Sequence, residues 1–203
     1  QRSGNLLLRG ELCGLMVTGS DHFEALGMER QLDLSPETLR AHYDGRCQEA
    51  HPDAGGTAKG FDAVAEAYKA LSSPARRLRH WLELFGIRVV EDGSLPPAVE
   101  ARFGPVNALL QKASEIAERH REARSTLVRS LAEAEGISLQ GRIVEARGEL
   151  ENAITAMVSV FKRFDESDPH EIREEAMELV RALSFLERWE AQLRAAWAQA
   201  GCW

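Results

Sequence analysis

Three consecutive residues, His51, Pro52 and Asp53, bring together an imidazole, a ring-locked backbone and a carboxylate. Proline disfavours helix in the residue before it, and Gly55 and Gly56 extend the break, so we expect the tripeptide to lie in a loop between two helices. Functional residues often lie on such loops, but the tripeptide alone is common by chance. A helical hairpin in which Pro52 merely stops one helix and Asp53 caps the next stays an alternative.

The glycines after this loop do not form a nucleotide-binding site. Gly55 and Gly60 have the spacing of a phosphate loop, but Phe61 and Asp62 stand where Lys and Ser or Thr are required. The glycines also lie between predicted helices rather than after a strand. No nucleotide or other cofactor is therefore predicted.

The remaining residues with catalytic or metal-binding side chains lack the spacing that such chemistry needs. No His-Glu-x-x-His pattern and no Cys-x-x-Cys pair occurs, so we predict no metal site and interpret the histidines as surface or capping residues. No Ser or Cys stands in a nucleophile-elbow context, so we predict no catalytic residue. We expect the protein not to be an enzyme.

Charge and composition exclude further classes of function. The net charge is -7, and both halves of the chain carry an acidic excess, which argues against a nucleic-acid partner. No apolar stretch approaches the ~18 residues of a membrane span, so no membrane partner is expected. Three widely separated cysteines suit a reducing compartment, and we expect a cytoplasmic protein.

Cap and turn signals divide the first half of the chain into helices. Residues 1–18 are expected to be a disordered N-terminal tail. Ser35-Pro36-Glu37 has the pattern of an N-cap, an N1 proline and a first-turn acid, and predicts a helix to about Ala50. Another helix carries Phe61, Val64, Tyr68 and Leu71 along one face. After Ser73-Pro74, helix is predicted to resume and to end near Gly86.

Three longer amphipathic helices are predicted in the second half. The first runs from about Pro97 to Glu135, with a kink or restart at Gly104-Pro105, and Gly136 ends it. The second spans roughly Leu139 to Phe164. The third begins at Asp168 in a capping-box arrangement. Three such helices with short connections predict an antiparallel bundle, so the fold class is all-α: a helical hairpin followed by a three-helix bundle.

The residues around the His51-Pro52-Asp53 loop resemble the J-domain family of co-chaperones. Tyr43 is the aromatic residue eight before the loop, and after the loop the family pattern continues with Phe61, Ala67-Tyr68, Leu71-Ser72, Pro74 and Arg77. The resemblance implies that His51, Pro52, Asp53 and Arg40 contact a DnaK- or HscA-type ATPase chaperone and stimulate its ATP hydrolysis.

The segment from Arg77 to Gly86 narrows the resemblance to the HscB-type iron–sulfur co-chaperones, which join a J-domain to a C-terminal three-helix bundle. It implies a J-domain at 19–90, a linker at 91–97 and a bundle at 98–203. It further implies that the bundle binds a client, in this family an iron–sulfur assembly scaffold. The residues predicted to bind the client are Phe103, Leu110 and Phe185.

The second helix departs from the family pattern and leaves an alternative function open. J-domains present Lys and Arg there, whereas the exposed positions of this chain include Arg40, Asp44 and Glu49, and Gly45 interrupts the helix. Arg46 and Ala50 stand at inward positions that are usually apolar. The alternative is a degenerate J-like assembly protein that no longer stimulates a chaperone.

Overall fold

The computed structural model describes residues 21–50, 57–90 and 93–200, and within these ranges the protein is all-α with no strand, as predicted. The helices of the described ranges are α1 (His22–Ala25), α2 (Pro36–Ala50), α3 (Ala58–Ser72), α4 (Pro74–Leu84), α5 (Pro97–Glu122), α6 (Thr126–Val158), α7 (Phe161–Asp165) and α8 (Arg173–Gln199). None of these helices is both long and apolar enough to span a membrane.

Polar side chains fix the starts of the N-terminal helices. The Asp21 carboxylate accepts hydrogen bonds from the backbone N–H groups of Phe23 and Glu24 at the start of α1. The Ser35 hydroxyl accepts from the Thr38 N–H at 3.0 Å, so α2 begins where the sequence predicts. Ser73 ends α3 and caps α4 by accepting from the Arg76 N–H at 3.1 Å. Each cap satisfies donors that the first helical turn leaves without a partner.

The four N-terminal helices enclose one hydrophobic core. Its fully buried side chains include Phe23, Leu26, Leu71, Leu78 and Leu82. Gly27, which follows α1, has φ +65°. Glycine adopts this left-handed conformation without steric cost. The turn directs the chain from α1 toward α2.

Helices α5, α6 and α8 form the predicted three-helix bundle. A connection of three residues joins α5 to α6, and α6 crosses α8 in the opposite direction, with Arg147 opposite Glu190 and Gln140 opposite the Trp197 carbonyl. The bundle core consists of aliphatic and small side chains around Trp189, which is 6% exposed.

The predicted boundary between the first two bundle helices was wrong. Helix α5 ends at Glu122 rather than Glu135, and α6 runs through Gly136 to Val158. The Ser125 hydroxyl caps α6 by accepting from the Val128 N–H at 3.3 Å. This start signal lies inside the single helix predicted from Pro97 to Glu135. Gly136 is buried in the bundle. Packing there offsets the propensity cost of about 1 kcal/mol that glycine adds in a helix. Helix α5 also continues unbroken through Pro105, without the restart that was a sequence alternative.

The predicted start of the last helix was also wrong. Helix α8 begins at Arg173, and Ile172 at its N-cap makes no side-chain hydrogen bond. Asp168 instead accepts a hydrogen bond from the His170 N–H at 2.8 Å through its own carboxylate, and its carbonyl accepts from the Glu171 N–H. This local turn uses the same aspartate side chain that a capping box would need.

The hydrophobic core of the N-terminal helices extends across the predicted domain boundary. Its buried members include Phe161 and Phe164 of α7 and Val180 and Leu183 of α8. The bounds 19–90, 91–97 and 98–203 stay a prediction, but the described helices on either side of the linker share this apolar contact. The N-terminal helices therefore pack directly on α7 and the first half of α8.

Candidate functional site

The predicted chaperone-binding loop lies outside the residues that the structure describes. His51, Pro52 and Asp53 belong to the undescribed stretch 51–56, while α2 on one side and α3 on the other are described. The Thr57 hydroxyl caps α3 by accepting from the Gly60 N–H at 3.1 Å. The geometry that follows is therefore that of the two helices that the loop joins.

Helices α2 and α3 pack side by side through a pair of tyrosines. The rings of Tyr43 and Tyr68 lie 4.3 Å apart between centroids. Only seven residues, 51–57, join the end of α2 to the start of α3, and so short a connection between packed helices makes them antiparallel neighbours. Leu39 of α2 and Val64 of α3 are buried in the core beneath the hairpin.

The predicted inward face of α3 is only partly buried. Val64 and Leu71 lie in the core, and Tyr68 packs at its edge, whereas the Phe61 side chain is 37% exposed. Phe61 lies in the first turn of α3, next to the undescribed loop. The exposed part of the α3 face is therefore its first turn, at the N-terminal end of the helix.

Arg40 lies across both tyrosines on the surface of the hairpin. Its guanidinium carbon is 5.6 Å from the Tyr43 ring centroid and 5.9 Å from that of Tyr68. Both separations are within the range of a cation–π contact. Its Nε donates to the Asp44 carboxylate at 3.1 Å. Hydrogen bonds to Tyr68 and then to Asp44 raise the pKa of Arg40 above its ordinary value. Arg40 is therefore accessible to a partner while two rings and a carboxylate fix its position.

The second cation of α2 is also occupied. Arg46 pairs with Glu49 at 2.8 Å, and its Nε donates to the Ala25 carbonyl at 3.1 Å. The sequence places Arg46 at an inward position, but its side chain keeps 41% exposure. The long stem reaches across to α1 and leaves the charged end in solvent. Ala50, the other inward position, packs at the edge of the core. Each arginine of α2 thus has a carboxylate partner on the same helix.

Two of the three residues predicted to bind a client, Phe103 and Phe185, come together around one tryptophan. The ring centroid of Phe103 on α5 lies 6.3 Å from that of Trp189, and the Phe185 centroid lies 5.7 Å from it on α8. Phe103 is 49% exposed, while Phe185 is half-buried and has the Arg188 guanidinium 5.4 Å from its ring. Leu110 is half-buried and packs against the bundle core from α5. Sequence reasoning named these residues separately and did not indicate that Phe103 and Phe185 contact the same tryptophan.

Polar contacts that the sequence did not indicate connect the N-terminal part of the chain to α7 and α8. The Glu187 carboxylate on α8 accepts from the Ala75 N–H at 2.9 Å and from the Ser73 hydroxyl at 2.6 Å. The Asp165 carboxylate accepts from the Leu32 and Asp33 N–H groups at 2.7 and 2.9 Å. These partners are more than a hundred residues apart in sequence, so no local spacing could reveal them.

Arg77, one of the residues that carry the family resemblance, lies buried in this interface. Its guanidinium is 5.5 Å from the Phe161 ring, and its Nη1 donates to the Leu34 carbonyl at 3.4 Å. Burial lowers the pKa of Arg77, while the carboxylates of Asp165, Asp33 and Glu187 act in the opposite direction. Arg77 thus connects α4 to α7 and to the segment before α2.

A cluster of ion pairs at the middle of the bundle stabilises the contact of α6 with α8. Glu190 is buried, and Arg147 donates to it from Nε at 3.0 Å and from Nη2 at 2.7 Å, while Arg194 pairs with its other oxygen. Both arginines line an open groove of about 760 Å³ between α3–α4 and α6–α8. Among the described residues no group of three His, Cys, Asp or Glu side chains could hold a metal ion.

Comparison with known proteins finds a distant likeness of fold. No protein-family model matches the chain. No curated protein matches it either. The crystal structure of human co-chaperone protein HscB is similar to it with a TM-score of 0.44 and 20% sequence identity, over 87% of this chain and 81% of that chain.

Proposed function

We propose that the protein is a cytoplasmic co-chaperone, without enzymatic activity of its own, that binds a DnaK- or HscA-type chaperone through the His51-Pro52-Asp53 loop. Binding stimulates ATP hydrolysis because the loop favours one of two pre-existing states of the chaperone. The observation that carries the proposal is the antiparallel α2–α3 hairpin, aligned by the contact of Tyr43 with Tyr68. Its loop bears the tripeptide, and its sequence carries the J-domain pattern.

The steady-state ATPase rate of the DnaK-type chaperone from the same organism tests this proposal. The wild-type protein is expected to raise the rate, and His51→Gln or Asp53→Asn to abolish the increase while the far-ultraviolet circular dichroism is unchanged. Asp62→Asn is the matched control, because Asp62 is an exposed acid of α3 outside the loop. Equal stimulation by the wild type and both loop variants would overturn the mechanism.

We further propose that the bundle binds the client, an iron–sulfur assembly scaffold, through Phe103, Leu110 and Phe185. The support is an aromatic surface on α5 and α8 in which the half-exposed Phe103 packs on the buried Trp189. Exposed aromatic residues that rest on a rigid base are typical binding anchors. Phe103→Ser is expected to weaken scaffold binding at least tenfold by calorimetry, a loss of about 1.4 kcal/mol.

Leu131→Ser provides the control for that experiment. Leu131 is an apolar residue of α6 with 56% exposure, similar to that of Phe103, but it lies outside the aromatic surface. The control variant should bind the scaffold like the wild type. Equal binding by Phe103→Ser, or equal loss in both variants, would contradict a client site at Phe103.

One observation favours a second candidate function. Asp44 and Glu49 neutralise the two arginines of α2, so this helix offers no surplus positive charge to an acidic chaperone. A J-like assembly protein without chaperone stimulation would have such a surface. Absence of ATPase stimulation by the wild type, with every DnaK-type chaperone of the organism, would favour this alternative.

A further inference from the structure

Two histidines meet between α1 and α4, at the edge of the packing of α1 on α3. The backbone N–H of His22 donates to Nε2 of His80 at 3.0 Å, and the two imidazole rings lie 4.3 Å apart between centroids. The Phe23 ring stacks on His80 at 5.8 Å, and the His80 side chain is only 12% exposed. His80 therefore secures the first turn of α1 from within a largely dry contact.

This hydrogen bond defines the protonation state of His80. A backbone N–H can only donate, so Nε2 must be the unprotonated acceptor nitrogen and the ring must be neutral with its proton on Nδ1. Protonation would direct two N–H groups at each other. The imidazolium would also lie against the second histidine ring.

The charged groups around His80 do not compensate for the hydrogen bond that protonation of Nε2 would break. The nearest carboxylate oxygen, Asp21 Oδ1, is 3.7 Å from Nε2, but it already accepts from the Phe23 and Glu24 N–H groups, and Arg30 occupies Oδ2. Burial lowers the pKa of His80 below its ordinary value of 6.5, His22 and Arg30 act in the same direction, and Asp21 opposes them.

The pKa of His22 is shifted in the same direction as that of His80. Burial lowers its pKa below 6.5, and Arg76 adds to the effect. The carboxylates of Glu66 on α3, Asp21 before α1 and Glu83 on α4 oppose it without reversing it. The surroundings of the pair therefore favour the neutral form of both rings.

Helix α1 in turn supports α2. The Leu26 carbonyl accepts from Nδ1 of His42 at 3.2 Å, and the Ala25 carbonyl accepts from Nε of Arg46 at 3.1 Å. His42 keeps this donor when it is protonated, so acid does not break the α1–α2 contact directly. Of these contacts, only the one between α1 and α4 depends on a neutral histidine.

We propose that His80 is a pH-sensitive latch: its neutral ring holds the His22 end of α1 against α4, and its protonation releases that end while Phe23 and Leu26 keep the rest of α1 in the core with α3. Because the packed form binds this proton more weakly than the released form, the latch is fully closed above pH 6.5. As the pH falls from 6.5 toward the lowered pKa of His80, protonation progressively reduces the free energy by which this contact stabilises the packed form. Below that lowered pKa the loss is constant.

Amide hydrogen exchange of His22, whose N–H donates to His80, between about pH 7.5 and 5.0, corrected for the intrinsic pH dependence of exchange, tests the latch. In the wild type, protection should fall on acidification by about tenfold for each unit by which the His80 pKa is lowered. His80→Gln keeps an acceptor oxygen near the Nε2 position and does not titrate, so its protection should depend on pH less than that of the wild type, and His22 accounts for the dependence that remains. His42→Gln is the control and should keep the wild-type pH dependence.

The tautomer of His80 gives a second measurement that needs no variant. Long-range proton–nitrogen correlation spectra at about pH 7.5 should show the proton on Nδ1, and a titration should give a pKa below 6.5. A proton on Nε2, or a pKa at or above that ordinary value, would overturn the proposal. Loss of protection in His80→Gln equal to that of the wild type would overturn it as well.

Discussion

The carboxylate of Glu187, in the middle of α8, accepts a hydrogen bond from the backbone N–H of Ala75 at the start of α4, 2.9 Å away. A negative charge at a helix N-terminus is favourable both for the orphan N–H groups and for the helix dipole. Glu187 therefore acts as a cap supplied by a helix more than a hundred residues later. It fixes how α4 lies on the bundle.

Glu187→Ala is expected to destabilise the protein, because α4 loses a charged cap and the Ser73 hydroxyl loses its acceptor. The free energy of unfolding should fall by about 1–2 kcal/mol. Urea unfolding followed by circular dichroism measures the change. Glu178→Ala removes an exposed acid from the same helix. This control should change stability by less than about 0.5 kcal/mol. Equal midpoints for the two variants would show that the cap contributes nothing.

Gly45→Ala is expected to stabilise the protein by up to about 1 kcal/mol. Gly45 lies inside α2, and a Cβ there would meet no atom within 4 Å, so alanine gains helix propensity without a clash. Gly27→Ala is the comparison variant and should have the opposite effect on stability, because Gly27 has φ +65°. Alanine in that left-handed conformation should cost about 1–2 kcal/mol. Thermal unfolding of both variants should move the midpoint in opposite directions, and a shift in the same direction would contradict the backbone geometry.

Glu190→Gln is expected to destabilise the protein at neutral pH, since Arg147 and Arg194 lose their shared carboxylate. The loss should be about 1–3 kcal/mol. Burial raises the pKa of Glu190, but the hydrogen bonds from Arg194 and Arg147 together outweigh it and leave the pKa below 4.5. The stabilisation is therefore present above pH 4.5 and is lost as the pH falls through the lowered pKa.

Urea unfolding at neutral pH and at stepwise lower pH checks the sign of this effect. The difference between wild type and Glu190→Gln should shrink below pH 4.5. Glu149→Gln, at an exposed acid of α6, should match the wild type throughout. A difference that stays constant down to strongly acidic pH would assign the loss to packing rather than to charge.

Asp44→Lys combined with Glu49→Lys is expected to speed association with an acidic chaperone surface. The change removes the carboxylates that neutralise Arg40 and Arg46 and adds two cations to α2. Each exposed substitution should change the interaction free energy with the partner by no more than roughly 1 kcal/mol. The gain in association rate should shrink as the salt concentration rises, because salt screens surface charges over about 8–10 Å. Stopped-flow association rates at several salt concentrations measure it.

The direction of that change identifies the partner surface. A slower association would mean that α2 meets a basic surface rather than an acidic one. An unchanged rate at every salt concentration would exclude this face of α2 from docking. The double variant Asp62→Lys/Glu178→Lys adds the same charge away from α2 and controls for a general charge effect.

Local signals in the sequence predicted the all-α class, the start of α2 and its end before residues 51–56. Each of these depends on residues a few positions apart, on a cap, a proline or one apolar face, and such signals survive in any fold. The sequence could not predict that α6 continues through Gly136. The cost of glycine in a helix is local, whereas the packing that offsets it is not.

Tertiary structure alone decided which distant residues meet. Phe103 and Phe185 share Trp189, Glu187 caps α4, and His80 accepts from His22 at the other end of the N-terminal helices. Side chains on different helices become neighbours only when the helices adopt one register against each other, and burial of the whole apolar surface determines that register. Local sequence signals therefore determined the helical class and the bounds of α2, while helix packing determined the bounds of α5, α6 and α8, the interfaces between helices, the ion pairs and the hydrogen bond from His22 to His80.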